Sequence, residues 1–214
     1  MQNFKYIFFD LDGTLVDSSI GIKNAFHYAF TSLHIKTPES KKLDTFIGPP
    51  LEVSFASTVP ETDLNQAISY FREYYKNKGV FEAQLYHGIK ELLIELEKSD
   101  YHIYITTSKN ESMANKMAQY LKIDKYFNGI FGSLPNSYYK ADVLARALNH
   151  SHATLEQSVI IGDTKFDMIG GKSVGINTLG VLWGFGKQDE LTINGADFIS
   201  DSPQNLLTTL INKT

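Results

Sequence analysis

The 214-residue chain contains no cysteine. That removes disulfides, thiolate nucleophiles and cysteine-based zinc sites together. Six prolines and 15 glycines are too few for a collagen-like or low-complexity chain. No run approaches the roughly 20 apolar residues that span a bilayer, so no membrane segment is expected. Charge of either sign is moderate: 20 basic residues against 24 acidic ones leave a net charge of −4. Such mild acidity argues against broad nucleic-acid binding. A phosphate-handling site in this chain is therefore expected to be locally basic or metal-assisted. What is abundant is apolar side chain, 43% of the total, too much for disorder. A chain of this length buries roughly 70% of its unfolded surface. The apolar opening stretch meets Asp10 too soon for a signal peptide, and with cysteine absent the expectation is a cytoplasmic protein.

Short apolar runs read as buried strands at residues 6–9, 103–106, 129–131, 159–161 and 178–182. Helical periods lie between them. Ile89, Leu92, Leu93 and Leu96 follow the i, i+3, i+4, i+7 template; Met113, Met117, Tyr120 and Leu121 fit it, as do Val143, Leu144, Ala147 and Leu148. Alternation of strand and helix predicts an α/β fold with a doubly wound parallel sheet, Rossmann-like. Residues 206–211 read as a closing helix with Ser202 at the N-cap and Pro203 at N1. From about Ser18 to Glu82 the alternation stops. Two helical stripes (Ile22, Ala25, Phe26, Ala29, Phe30, Leu33, then Leu64, Ala67, Ile68, Phe71, Tyr75) flank a rigid Gly48-Pro49-Pro50 loop. The expected organisation is an α/β core of residues 1–15 and 83–214 with a small inserted α-helical cap of residues 16–82.

In a doubly wound sheet, ligands bind outside the carboxyl ends of the strands. The first strand is followed there by Asp10-Leu11-Asp12-Gly13-Thr14, the second by Thr107-Ser108-Lys109, and the fourth by Gly162-Asp163 with Asp167 beyond. Lys140 opens the helix before the fourth strand. Carboxylates crowded at one edge repel unless a hard cation joins them, and Mg²⁺ prefers oxygen ligands. A metal–carboxylate site with hydroxyl and lysine donors nearby suits a phosphate group. Ser108 and Glu111 match the S-x-x-E capping box, so a helix is expected to start there with its N–H groups facing an anion near Thr107. Asp167 lies four residues beyond Asp163, and one helical turn is expected to bring both to one face.

Asp10-x-Asp12-Gly13-Thr14, Thr107, Lys140 and Gly162-Asp163-x-x-x-Asp167 resemble, in order and spacing, the four motifs of the haloacid dehalogenase superfamily. The resemblance covers essentially the whole chain. It is similar to the phosphoglycolate phosphatase-like branch, including the Gly48-Pro49-Pro50 loop and the Trp183-Gly184-Phe185-Gly186 loop. The dehalogenases themselves lack an acid at the position of Asp12, which points to phosphatase or phosphomutase chemistry. The resemblance implies Asp10 as nucleophile, forming an aspartyl-phosphate, and Asp12 as general acid and then base. It implies Mg²⁺ held by Asp10, the backbone carbonyl of Asp12, and Asp163, with Asp167 ligating directly or through water. Thr107, Ser108 and Lys140 would bind the phosphoryl oxygens. The cap is expected to close over the site during transfer, with Lys23, Gly48 and Pro49 as its candidate substrate contacts.

Other motifs carry less. Gly171-Lys172-Ser173 mimics the end of a P-loop, but the first required glycine would fall at Phe166. His150-x-His152 reads as a solvated pair in a polar loop. The expected activity is Mg²⁺-dependent hydrolysis of small phosphorylated metabolites, phosphoglycolate first, by a monomer or homodimer. Pyrophosphatase or 5′-nucleotidase activity and a sugar-phosphate mutase are the alternatives. A regulatory module without turnover is disfavoured, because every expected catalytic position is filled.

Overall fold

The computed structural model describes residues 4–49, 51–135 and 137–211, with residue 211 described by its backbone alone. In chain order the strand β1 (Tyr6–Phe9) and the short β2 (Val16–Asp17) precede four helices, α1 (Ser19–Ser32), α2 (Ser40–Asp44), α3 (Leu51–Ala56) and α4 (Leu64–Asn77). There follow β3 (Gln84–Leu85), α5 (Ile89–Glu97), β4 (His102–Asn110), α6 (Glu111–Tyr120), β5 (Gly129–Ser133), α7 (Lys140–Ser151) and β6 (Ser158–Gly162). The chain ends through α8 (Lys165–Val174), β7 (Asn177–Val181), α9 (Gln188–Ile193), β8 (Phe198–Ser200) and α10 (Pro203–Ile211). These form two compact units, one of Met1–Asp17 with Leu85–Thr214 and one of Ser18–Gln84. No helix among the described residues is long and apolar enough to cross a membrane.

The first unit is built on a six-stranded sheet in the order β5-β4-β1-β6-β7-β8, with every pair parallel. The fold is Rossmann-like and doubly wound. The chain moves outward from β1 to β4 and β5, then returns to the other side of β1 with β6. That reversal makes the carboxyl end of β1 the topological switch point, where side chains from opposite windings meet. Buried strands of this kind need apolar side chains on both faces. Ile7, Phe8 and Phe9 are fully buried. Phe8 stacks on Tyr104 at 5.3 Å and joins Leu144, Ala147 and Ile160 in one cluster beneath α7. Phe9 is level with Ile105 on one side and Ile161 on the other. Asp10, Thr106 and Gly162 therefore lie at the same height.

Several boundaries differ from the sequence reading. β4 runs on to Asn110, past the expected end at Thr106, and α6 starts at Glu111. The helix is capped by Asn110, whose Oδ1 accepts from Ser112 N at 3.1 Å. The expected Ser108/Glu111 capping box is therefore absent. The Glu111 carboxylate instead accepts from Gly132 N at 3.1 Å and pairs with Arg146. The face of α6 is also turned: Ala114, Met117 and Ala118 are buried, while Tyr120 is exposed. Periodicity alone weighted the large residues, whereas close packing on β4 and β5 selects the small ones. β8 escaped notice because three residues carry too little pattern. His150 lies in the last turn of α7 with its ring 5.3 Å from Phe131, not in a loop.

The helical unit holds an aromatic core of its own. Phe26 of α1 lies 4.7 Å from Phe71 of α4, 4.9 Å from Phe55 of α3 and 5.1 Å from Phe46, ring centre to ring centre. Gly21 faces Gly79, where a methyl on Gly21 would overlap the Gly79 carbonyl. Gly48 has φ +104° in the loop before α3. Pro50 of that loop lies outside the described residues. Replacing the fully buried Phe26 leaves a cavity among three other rings. Phe26→Ala is expected to destabilise this unit by about 3–5 kcal/mol. Denaturant unfolding followed by far-ultraviolet circular dichroism checks this.

Candidate active site

Each acidic side chain reaches the switch point by its own local device. Asp10 is the first residue beyond β1, and its N–H still donates to Ile161 O at 2.8 Å. Gly13, at φ +87°, turns the chain sharply, and Gly13 N closes the turn on Val16 O at 2.8 Å. A side chain there would meet both the φ restriction and the carboxylate of Asp163. Asp163 follows the last residue of β6. Asp167 sits at position N3 of α8 and forms a reciprocal capping box with Thr164: its Oδ2 accepts from Thr164 N at 3.0 Å and Thr164 Oγ1 at 2.8 Å. Asp163 precedes the helix. The two acids thus converge through strand end, N-cap and first turn, and not through a shared helical face.

Asp10, Asp163 and Asp167 are all buried, and one carboxylate oxygen of each lies within 4.8 Å of the others. Lys140, the first residue of α7, reaches into this group. Its Nζ donates to Asp10 Oδ1 at 2.6 Å and Thr106 O at 2.9 Å, and lies 2.7 Å from Asp167 Oδ1. Asp163 Oδ1 accepts from Thr14 Oγ1 at 3.0 Å and its Oδ2 from Phe185 N at 2.8 Å. That second donor comes from the loop after β7, which is pinned by Trp183 Nε1 donating to Thr14 O at 2.9 Å. Gly184 and Gly186 pass so close to Gly13 and Asp163 that a Cβ on either would collide with backbone.

Three buried carboxylates against one ammonium leave negative charge in excess. Burial raises the Asp10 carboxyl to about 7, and neighbouring Asp167 and Asp12 add to the rise while Lys140 opposes it. Burial, then Asp167 and Asp10, holds Asp163 well above the usual carboxylate range, against the pull of Phe185 N–H and the Thr14 hydroxyl. Lys140 loses solvation by burial, yet Asp10 and Asp167 outweigh that loss and hold its proton more firmly than usual. Asp167 Oδ1 is buried and has no aligned hydrogen bond. An all-oxygen donor set with surplus negative charge fits a hard divalent cation.

Asp12 points elsewhere in the same neighbourhood. Its Oδ2 pairs with Lys109 Nζ at 2.9 Å, and its Oδ1 is buried without a hydrogen-bond partner. Thr107 is buried within β4, where its Oγ1 accepts from Lys109 N at 3.2 Å. Ser108 is exposed. Lys23, Gly48 and Pro49 belong to the helical unit. Lys23 forms an ion pair there with Asp44; Gly48 is exposed and Pro49 half-buried. Sequence reasoning assigned no contact to Thr14, Lys109, Trp183 or the Phe185 N–H. Their common signal was position: each ends or follows a strand at the carboxyl edge.

Comparison with known proteins adds to the geometry. Residues 7–181 match the family model for haloacid dehalogenase-like hydrolases. A 5′-nucleotidase of Pseudomonas aeruginosa is 34% identical over 189 residues, 86% of either chain. A solved haloacid dehalogenase-like family hydrolase from Streptococcus pneumoniae superposes with a TM-score of 0.94 at 47% identity, covering 98% of this chain and 99% of that one. A predicted phosphatase from Clostridium acetobutylicum does so at 0.90 and 33%, covering 97% and 98%.

The raised carboxyls have a consequence for pH. Asp10 keeps its proton in the folded protein up to about pH 7, whereas an unfolded aspartate loses it near ~3.9. The stability this confers is complete at low pH and is lost as pH rises through about 7. A cation needs the ionised carboxylates. The rise in Tm on adding a divalent cation to metal-free protein is therefore expected to be larger at pH 8 than at pH 5.5. Thermal unfolding at the two pH values checks this, and equal gains would contradict it.

Proposed function

Because the chain belongs to the haloacid dehalogenase-like hydrolase family and is an enzyme of the phosphoric monoester hydrolase kind, we propose that it hydrolyses small phosphomonoesters through an aspartyl-phosphate on Asp10. The observation that carries this reading is the convergence of Asp10, Asp163 and Asp167 with Lys140 at the switch point of the sheet. The Lys140 ammonium lies within hydrogen-bonding reach of Asp10 and Asp167, and one oxygen of each of the three acids lies within 4.8 Å of the others.

In this reading Asp10 attacks phosphorus as the bond to the leaving oxygen breaks. Lys140, already 2.6 Å from Asp10, is positioned to bind a phosphoryl oxygen and to offset charge as the transition state develops. Thr107, in the carboxyl-terminal half of β4, binds a second oxygen. Asp12 protonates the leaving oxygen, then takes a proton from the water that cleaves the aspartyl-phosphate. Such proton transfer contributes roughly 10²–10⁴-fold. The unpartnered Oδ1 of Asp12 supports that assignment. Mg²⁺ would be held by Asp10, Asp163, Asp167 and the backbone carbonyl of Asp12, and would supply the positive charge that lets a carboxylate meet a phosphate dianion.

Asp10→Asn is expected to abolish turnover while the fold survives. Lys140 keeps Asp167 and Thr106 O as partners, and one of three mutually repelling carboxyls is gone. Phosphate release from an aryl phosphate, with and without Mg²⁺, checks activity, and circular dichroism checks the fold. Turnover in Asp10→Asn at the native rate would reject the nucleophile.

Phosphoglycolate-like monoesters are the substrate class we favour. The likeness to a 5′-nucleotidase keeps nucleoside monophosphates in the comparison. A panel of phosphoglycolate, nucleoside monophosphates, pyrophosphate and a sugar phosphate is expected to give free phosphate with every accepted substrate, ranked by kcat/KM. Isomer formation without phosphate release would favour a mutase.

A further inference from the structure

Lys109 belongs to neither the three-carboxylate cluster nor the phosphoryl-binding pair, yet it is almost wholly buried. Its side chain is 9% exposed, and Nζ stands 2.9 Å from Asp12 Oδ2. The backbone explains how a lysine comes to face inward. The pairing of β4 with β5 is in step through Thr106, breaks, and resumes at Asn110. Such irregularities re-aim side chains beside active sites. Lys109 N is held to Thr107 Oγ1 at 3.2 Å across the irregular segment. The residue is thus fixed at both its backbone and its ammonium.

The Asp12 carboxylate, 19% exposed, is held on one oxygen by Lys109 while the other oxygen is buried and unpartnered. An aspartate three residues beyond a strand, on a turn closed at Gly13, has free rotation about its side-chain bonds unless something fixes it. The arrangement leaves one oxygen anchored and one available.

We propose that Lys109 is a positioning residue for Asp12, holding the carboxyl so that its other oxygen is presented to the leaving group and then to the hydrolytic water. This rests on the reading of Asp12 as the proton-transfer group. In the first half-reaction the Asp12 proton passes to the leaving oxygen as its bond to phosphorus breaks and the Asp10–phosphorus bond forms. In the second, a water proton passes to Asp12 as the water oxygen joins phosphorus and the Asp10–phosphorus bond breaks. Lys109 acts through Asp12 and touches no reacting atom.

Leaving-group chemistry separates this role from a structural or a substrate-binding one. kcat/KM covers only formation of the aspartyl-phosphate. It needs an acid for an alkoxide leaving group and hardly any acid for a dinitrophenolate. Lys109→Met is expected to lower kcat/KM for ethyl phosphate about 10²-fold. For 2,4-dinitrophenyl phosphate the loss is expected to stay under about threefold. The ratio of the two does not depend on how much enzyme is folded. Lys109→Arg is expected to restore most of the loss. Asp12→Ala is expected to show the same leaving-group dependence more strongly, and adding Lys109→Met to it should cost under about twofold more. If Asp12→Ala loses both substrates equally, the proton-transfer reading fails and Lys109 has no role to support. If Asp12→Ala behaves as expected but Lys109→Met loses both substrates alike, or costs as much in the Asp12→Ala background, the positioning assignment alone is overturned. A loss confined to KM overturns it too and makes Lys109 a substrate contact.

Discussion

Negative charge buried in excess is the constraint that organises this protein. Asp10, Asp163 and Asp167 share a space where their oxygens come within 4.8 Å, and Lys140 supplies one positive charge among them. Leaving any of these groups uncompensated in the interior would cost several kcal/mol. The surroundings are arranged to limit that cost. Asp163 takes one hydrogen bond on each oxygen, Asp167 is tied into a capping box on Oδ2, and Lys140 adds the Thr106 carbonyl to its two carboxylates. What remains is an excess of negative charge on an all-oxygen donor set, which fits a hard cation.

Keeping such a cluster dry and open demands that backbone pass very near it. Gly13, Gly184 and Gly186 do so, each with Asp163 or its neighbouring backbone where a Cβ would go. The loop after β7 is drawn in by Trp183 and contributes a main-chain N–H to the acid. The same close approach that fixes Asp163 leaves little tolerance for larger residues, so stability and site geometry are coupled at these three positions.

Asp167 shows how one residue serves fold and site together. Its Oδ2 caps α8, a role any N3 acid can fill, while its Oδ1 faces Lys140 inside the cluster. Asp12 and Lys109 make a second, smaller charge pair beside the first. The two lysines are therefore divided between the two functions in the proposed reaction, one with the nucleophile and one with the proton-transfer acid.

Buried strands announce themselves as unbroken apolar runs, and a doubly wound sheet collects whatever follows them. The parallel sheet was therefore legible in the sequence alone, and the structure does bring Asp10, Lys140, Asp163 and Asp167 together at one edge of it. The sequence reading misplaced the start of α6, since Ser108 and Asn110 are both credible caps and only the pairing of β4 with β5 decides between them. It also placed Asp163 and Asp167 on one helical turn, when their meeting depends on a strand end and an N-cap. Trp183, the Phe185 N–H and Lys109 lie far along the chain from, respectively, Thr14, Asp163 and Asp12, which they hold. Local pattern records which residues will be apolar or capping, because those preferences act over a few residues. Which polar groups pair across the edge is decided by the register of neighbouring strands and the path of the returning loops, and these exist only once the sheet has formed.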